Sequence, residues 1–114
     1  MTRVLLVDDD AAVRDVAAEV LELAGFEVTV AAGAEAAVAR LRAGERFAVL
    51  VTDEAMPGLG GTALIAIAAS LAPAMRCLLM TGYGELDGLP DDAAVLSKPF
   101  RPSQLEAAVR ALLT

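Results

Sequence analysis

Short apolar runs, each the length of a β-strand, alternate along this chain with longer segments of helical periodicity, and that rhythm constrains the fold more than any other feature. The runs are Val4 to Val7, Glu27 to Ala31, Ala48 to Thr52, Arg76 to Met80 and Ala93 to Leu96. Alternation of this kind predicts an α/β domain in which a five-stranded parallel sheet is covered by helices on both faces. At 114 residues the chain has the length of one domain and can bury one core without disulfide or metal staples. One unit spanning residues 1–114 is therefore expected.

The first helix is predicted from about Ala11 to Leu23, with Val13, Ala17, Val20, Leu21 and Ala24 on one face and Gly25 as the closing residue. A second covers about Ala34 to Arg42 and ends at Gly44. The last helix is expected after Pro102-Ser103, with Ser103 as N-cap, Glu106 completing a capping box, and Leu105, Val109 and Leu112 facing the core. The third, about Thr62 to Leu71, has almost no polar face. Small alanines on its exposed side account for this simply; a partner or dimer surface is the alternative. Between Thr81 and Lys98, Gly82, Gly84, Gly88 and Pro90 leave room for a strand and only a vestigial helix.

Composition narrows the function classes. With 16 acidic against 9 basic residues the formal net charge is -7, and no basic face is visible, so direct nucleic-acid binding is not expected. Aromatics make up only 4%, so the core must come from Ala, Val, Leu and Ile. No apolar stretch approaches the ~20 residues of a membrane span, and Met1-Thr2-Arg3 runs directly into the first strand with no signal-peptide pattern. The lone Cys77 lies in an apolar run, reads as a buried thiol and fits a reducing compartment. A cytoplasmic location is expected.

Ligands of open α/β sheets gather at the carboxyl ends of the strands. There the sequence places Asp8, Asp9 and Asp10 after the first strand, Asp53 and Glu54 after the third, Thr81 after the fourth and Lys98, the only lysine, after the fifth. Two carboxylates about 4 to 5 Å apart repel by roughly 3 to 4 kcal/mol at an effective dielectric near 20, so three of them need a cation or a shared proton. Oxygen ligands suit Mg²⁺, with Mn²⁺ as the alternative. There is no His and the single Cys is buried, which excludes zinc in practice. A carboxylate can itself accept a phosphoryl group, whose oxygens then need positive charge and donors; Lys98 and the Thr81 hydroxyl supply them. Taken singly, each residue has a plainer role: Asp8 to Asp10 as an N-cap cluster serving the dipole of the first helix, Asp10 above all, Asp53-Glu54 as a solvated turn, Thr81 as a turn residue, Lys98 as surface charge. Gathered at four strand ends, they read as one site.

These residues resemble a family, the receiver domain of two-component response regulators. The resemblance covers essentially the whole chain and rests on Val4-Leu5-Leu6-Val7-Asp8-Asp9, Val51-Thr52-Asp53-Glu54-Ala55-Met56-Pro57-Gly58, Met80-Thr81-Gly82-Tyr83 and Lys98-Pro99-Phe100, in that order. It implies a flavodoxin-like, doubly wound (βα)5 fold with strand order 2-1-3-4-5 and a shortened fourth helix. It also implies that Asp53 is the phosphoacceptor, taking its phosphoryl group from a phosphohistidine on a histidine kinase or histidine phosphotransfer protein. Mg²⁺ would be bound by Asp9 directly, Asp8 through water, Asp53 through its side chain and Ala55 through its backbone carbonyl. Lys98 would pair with the phosphoryl oxygens, Thr81 would report the phosphate, and the Lys98-Pro99 bond would be cis.

The departures concern output. Receivers usually carry Tyr or Phe three residues before the lysine as a switch side chain, and here that position is Val95. Tyr83 is the nearby aromatic with a hydroxyl and is expected to take over that role; Ala55 and Tyr83 also occupy positions that in receivers tune attack of water on the acyl phosphate. The chain is therefore expected to catalyse only its own phosphorylation and dephosphorylation. The alternatives are a small Mg²⁺-dependent phosphatase with an Asp nucleophile, which lacks a second acid at Ala55, and a degenerate receiver acting only as an interaction module.

Overall fold

A computed structural model describes residues 1–82 and 89–114. Element order is β1 (Arg3–Val7), α1 (Ala11–Leu23), β2 (Glu27–Ala31), α2 (Ala34–Arg42), β3 (Val49–Asp53), α3 (Gly61–Leu71), β4 (Arg76–Thr81), β5 (Ala94–Ser97) and α4 (Pro102–Leu112). All four strand pairings are parallel, in the order β2-β1-β3-β4-β5. The central strands carry unbroken apolar stretches, residues 4–7, 49–51 and 77–80, because both faces of the sheet are covered. Leu5, Val7, Leu50, Cys77 and Leu79 pack on one face with Leu64, Ile65 and Ala68 of α3 and Ala37 and Leu41 of α2. Val4, Leu6, Val49, Val51, Leu78 and Met80 pack on the other with Ala17 and Leu21 of α1 and Leu105 and Val109 of α4. The period of two along each strand divides one apolar run between the two cores.

Local sequence sets the helix ends. The Asp10 carboxylate caps α1, accepting the N–H groups of Ala12 at 3.0 Å and Val13 at 3.3 Å, which satisfies donors the first turn would otherwise leave unpaired. At its other end Gly25 takes φ +100°, and the N–H groups of Gly25 and Phe26 return to the carbonyls of Glu22 and Leu21. This is the Schellman closure that the glycine predicted.

Two local expectations are corrected. Ser103 is not the cap of the last helix: Arg101 is, Pro102 fills the first helical position, and Gln104 Oε1 accepts the Arg101 N–H at 2.7 Å. The fixed φ of proline and its missing N–H suit it to that first position, which moves the cap two residues upstream. Glu106 instead pairs with Arg110 one turn on, at 3.0 Å. Val13 does not face the core either: it is 39% exposed, and with the 62% exposed Val16 it lines an apolar groove closed by Phe100, Pro102 and Leu105.

The apolar α3 is explained by its small residues. Leu64, Ile65 and Ala68 are buried, while Ala63, Ala66, Ala69 and Ser70 face solvent. Among the described residues between β4 and β5 there is no helix; Tyr83 and most of the glycine-interrupted segment lie outside those residues. None of the helices described is long and apolar enough to cross a membrane.

Candidate functional site

Sheet register decides which polar residues meet. In the β1–β3 pairing Val7 lies opposite Thr52, so the next residues, Asp8 and Asp53, emerge side by side from adjacent strands. Parallel strands run about 4.8 Å apart, and one carboxylate oxygen from each of Asp8, Asp9 and Asp53 lies within 4.8 Å of the others. Asp8 and Asp53 are buried and Asp9 is exposed, so the cluster is walled on the protein side and open above.

Lys98 reaches this cluster from farther away. Asp53 ends β3, Thr81 ends β4 opposite Ser97, and Lys98 follows β5, so a whole strand separates lysine from aspartate. Two strand spacings, roughly 10 Å, need a long side chain, and Lys98 Nζ donates to Asp53 Oδ1 at 2.7 Å. The backbone at its base is fixed by the Lys98 N–H bond to the Thr81 carbonyl at 2.8 Å, and the Lys98–Pro99 peptide is cis. Thr81 itself is buried at the end of β4. Val95, in β5, is 46% exposed.

The electrostatics favour a cation. Burial pushes the Asp8 carboxyl above the ordinary aspartate range; an N–H bond from Asp10 opposes this, the charge of Asp53 adds to it, Lys98 opposes it and Asp9 adds a little more. Among the described residues Asp8 Oδ2 is buried without a hydrogen-bond partner, a costly state for a carboxylate oxygen unless something positive faces it. Three carboxylates with no nitrogen or sulfur donor among them form an oxygen-only set, the chemistry that suits Mg²⁺ or Mn²⁺. The residues present fit such an ion.

The sequence expectation thus places Asp8, Asp9, Asp53, Thr81 and Lys98 at one sheet edge, and the structure brings the three aspartates and the lysine into mutual reach. Asp10 serves as the α1 cap. Ala55 is exposed in the loop after β3. Two supporting contacts were not anticipated. Arg14, one turn into α1, donates from Nη1 to the Asp8 carbonyl, six residues back, at 2.9 Å, a reach across the start of the helix that spacing rules within a helix do not cover. Glu54, expected as a site residue or a solvated turn, turns away to Thr62, eight residues on, and no local pattern announces that pairing.

Comparison with known proteins accords with this geometry. The family model of the response regulator receiver domain matches residues 4–110. The response regulator receiver protein CpdR of Brucella abortus (strain 2308) is 35% identical, over 99% of this chain and 98% of that protein. The response regulator protein FleR of Pseudomonas aeruginosa is 37% identical over 90% of this chain, which spans only 23% of FleR. Among solved structures, a CheY-like receiver domain protein from Methanospirillum hungatei JF-1 superposes with a TM-score of 0.90 at 34% identity, covering 99% of this chain and 94% of that one. The response regulator protein TrrA from Thermotoga maritima, in complex with Mg²⁺-BeF, superposes with a TM-score of 0.87 at 25% identity, covering 98% and 99%. With a matching family model over almost its whole length and the acid cluster and lysine at the carboxyl edge of a 2-1-3-4-5 sheet, the chain belongs to the response regulator receiver domain family.

Proposed function

We propose that this chain is one receiver unit, residues 1–114, that works as the phosphoacceptor of a two-component phosphorelay, with Asp53 taking the phosphoryl group from a histidine kinase or histidine phosphotransfer protein. The observation that carries this reading is the 2.7 Å contact of Lys98 Nζ with Asp53, beside the Asp8–Asp9 pair. A carboxylate oxygen of Asp53 attacks phosphorus in line, a P–O bond forms as the P–N bond of phosphohistidine breaks, and the imidazole nitrogen leaves with the bonding electron pair. Lys98 exchanges its contact with the carboxylate for one with the phosphoryl oxygens, and the Thr81 hydroxyl turns toward them to register the new group. Asp8, Asp9, Asp53 and the Ala55 carbonyl would hold Mg²⁺, or Mn²⁺ in its place. When bound, that ion supplies the positive charge that three phosphoryl oxygens beside three carboxylates require.

The protein is a signalling module whose catalysis is confined to its own phosphorylation and dephosphorylation. Output goes to a protein partner: the net charge of -7 is wrong for nucleic acid. Val95 occupies the usual aromatic switch position on β5, and its small, half-exposed side chain supports a role for Tyr83 in coupling Thr81 to the output face. A cytoplasmic setting is supported by the buried free thiol of Cys77. The test is intact mass after incubation with Mg²⁺ and acetyl phosphate, wild type beside Asp53→Asn. One base-labile phosphoryl adduct on wild type alone is expected. An adduct that persists in Asp53→Asn would reject Asp53 as acceptor, and Mg²⁺ binding without any adduct, even from a phosphorylated kinase, would favour the degenerate receiver.

A further inference from the structure

We propose that Glu54 is a positioning residue for metal binding, a clamp that fixes the loop carrying the Ala55 carbonyl; this rests on the reading of that carbonyl as a metal ligand. Glu54 follows Asp53 directly and is tied at four points. Its N–H donates to the Met80 carbonyl at 3.0 Å, and its carbonyl accepts the Gly61 N–H at 3.1 Å. Its Oε1 accepts the Thr62 N–H at 3.2 Å, and its Oε2 accepts the Thr62 hydroxyl. The last three bonds close residues 55–60 into a ring against the first turn of α3.

The glycines beside the ring show how tightly it is drawn. A Cβ on Gly61 would stand 2.3 Å from the Asp53 carbonyl oxygen, and one on Gly60 would stand 2.8 Å from Glu54 Oε1. Only residues without a side chain let the start of α3 approach the acceptor strand this closely. The helix also lacks a side-chain cap of its own, because its N-cap is Gly60. Glu54 supplies the missing acceptor and places negative charge at the positive end of the helix. Its carboxylate is thereby occupied facing α3, while the backbone on its other side leads straight to Ala55. With Glu54 held on one side and Pro57 fixing φ on the other, little freedom is left in the direction of the Ala55 carbonyl. Groups that orient metal ligands in this way typically matter to affinity by 10- to 100-fold.

The experiment measures Mg²⁺ binding to the full chain by calorimetry for wild type, Glu54→Ala and Glu54→Gln, with the Ala55 carbonyl ¹³C shift followed by NMR in the same titrations. Glu54→Ala should weaken Mg²⁺ about tenfold and shrink the Mg²⁺-induced Ala55 shift. Glu54→Gln, whose amide can accept from the Thr62 N–H and donate to its hydroxyl, should stay within about twofold of wild type. Equal losses in the two variants would show that the charge matters and the tether does not, and unchanged affinity in Glu54→Ala would show that the loop holds itself; either overturns the proposal. Should Glu54→Ala fail to fold, Thr62→Val removes the hydroxyl tether alone and should weaken Mg²⁺ about threefold; no loss there overturns it equally. A wild-type protein that binds no Mg²⁺ would reject the metal-site reading itself, a result distinct from all of these.

Discussion

Replacing Lys98 with methionine keeps the length of the side chain and deletes the cation that faces the acid cluster, and the structure sets the size of the consequence. At 2.7 Å the Lys98–Asp53 attraction is about 6 kcal/mol at an effective dielectric near 20, before solvation is counted. Asp53 repels each of its two acidic neighbours, within 4.8 Å, by at least about 3.5 kcal/mol on the same scale. Lysine therefore offsets most of the repulsion that Asp53 meets from its two neighbours. Asp53 is only 8% exposed but Lys98 is 35% exposed, so the net cost falls between that of a buried pair broken on one side, about 3 to 5 kcal/mol, and that of a surface pair, below about 1. About 2 kcal/mol is expected without metal, which for a chain of this length lowers the melting temperature by about 8 °C. A bound divalent cation relieves the same repulsion, so by linkage Lys98→Met should bind Mg²⁺ more tightly, by up to about 30-fold. Thermal unfolding with and without Mg²⁺, together with calorimetric titration, reads both quantities. Weaker Mg²⁺ binding in the variant, or a metal-free melting temperature equal to that of wild type, would refute the electrostatic account and leave lysine with a role in shaping the loops.

Two further outcomes follow from the same charges and from the core. Asp8→Asn keeps an oxygen for the Asp10 N–H and removes one buried negative charge, so the metal-free protein should gain about 1 to 2 kcal/mol while its stabilisation by Mg²⁺ shrinks; a variant less stable than wild type without Mg²⁺ would contradict this. Burial, with a smaller push from Asp92, raises the Cys77 thiol from 9.0 to about 11. Because the folded protein then holds the thiol proton more tightly than the unfolded chain does, stability is unaffected below pH 9 and falls as pH rises from 9 toward 11. The loss at pH 10 should be about 1.4 kcal/mol. Denaturant unfolding of wild type and Cys77→Ala at pH 8 and pH 10 isolates this contribution, and parallel losses in the two proteins would count against it.

Much of the fold was legible because it rests on short-range periodicity. Apolar runs of only four or five residues bounded by turn signals read as strands covered on both faces, and β1, β3 and β4 are buried as that requires. Asp10 and Gly25 declared the ends of α1 through their own side-chain and backbone chemistry. The misreadings arose where two local rules competed or where burial depended on a neighbour. Ser103 has the chemistry of a cap, but Pro102 before it already fits the first helical position. Val13 lies on the apolar face of α1, but it borders an open groove shared with Val16, Phe100, Pro102 and Leu105 and stays 39% exposed.

The candidate site divides in the same way. Sequence alone determined that acids, a hydroxyl and the single lysine stand at strand ends, because strand ends follow from periodicity and the lysine has no counterpart elsewhere in the chain. Only the tertiary structure decided that Asp8 meets Asp53, since that depends on β1 and β3 being neighbours in register. The reach of Lys98 over β4 and the closure of Glu54 on Thr62 were decided there as well. Those contacts join residues far apart in the chain, and their distances are set by strand spacing and sheet order, which emerge only when the whole sheet is assembled around its two cores.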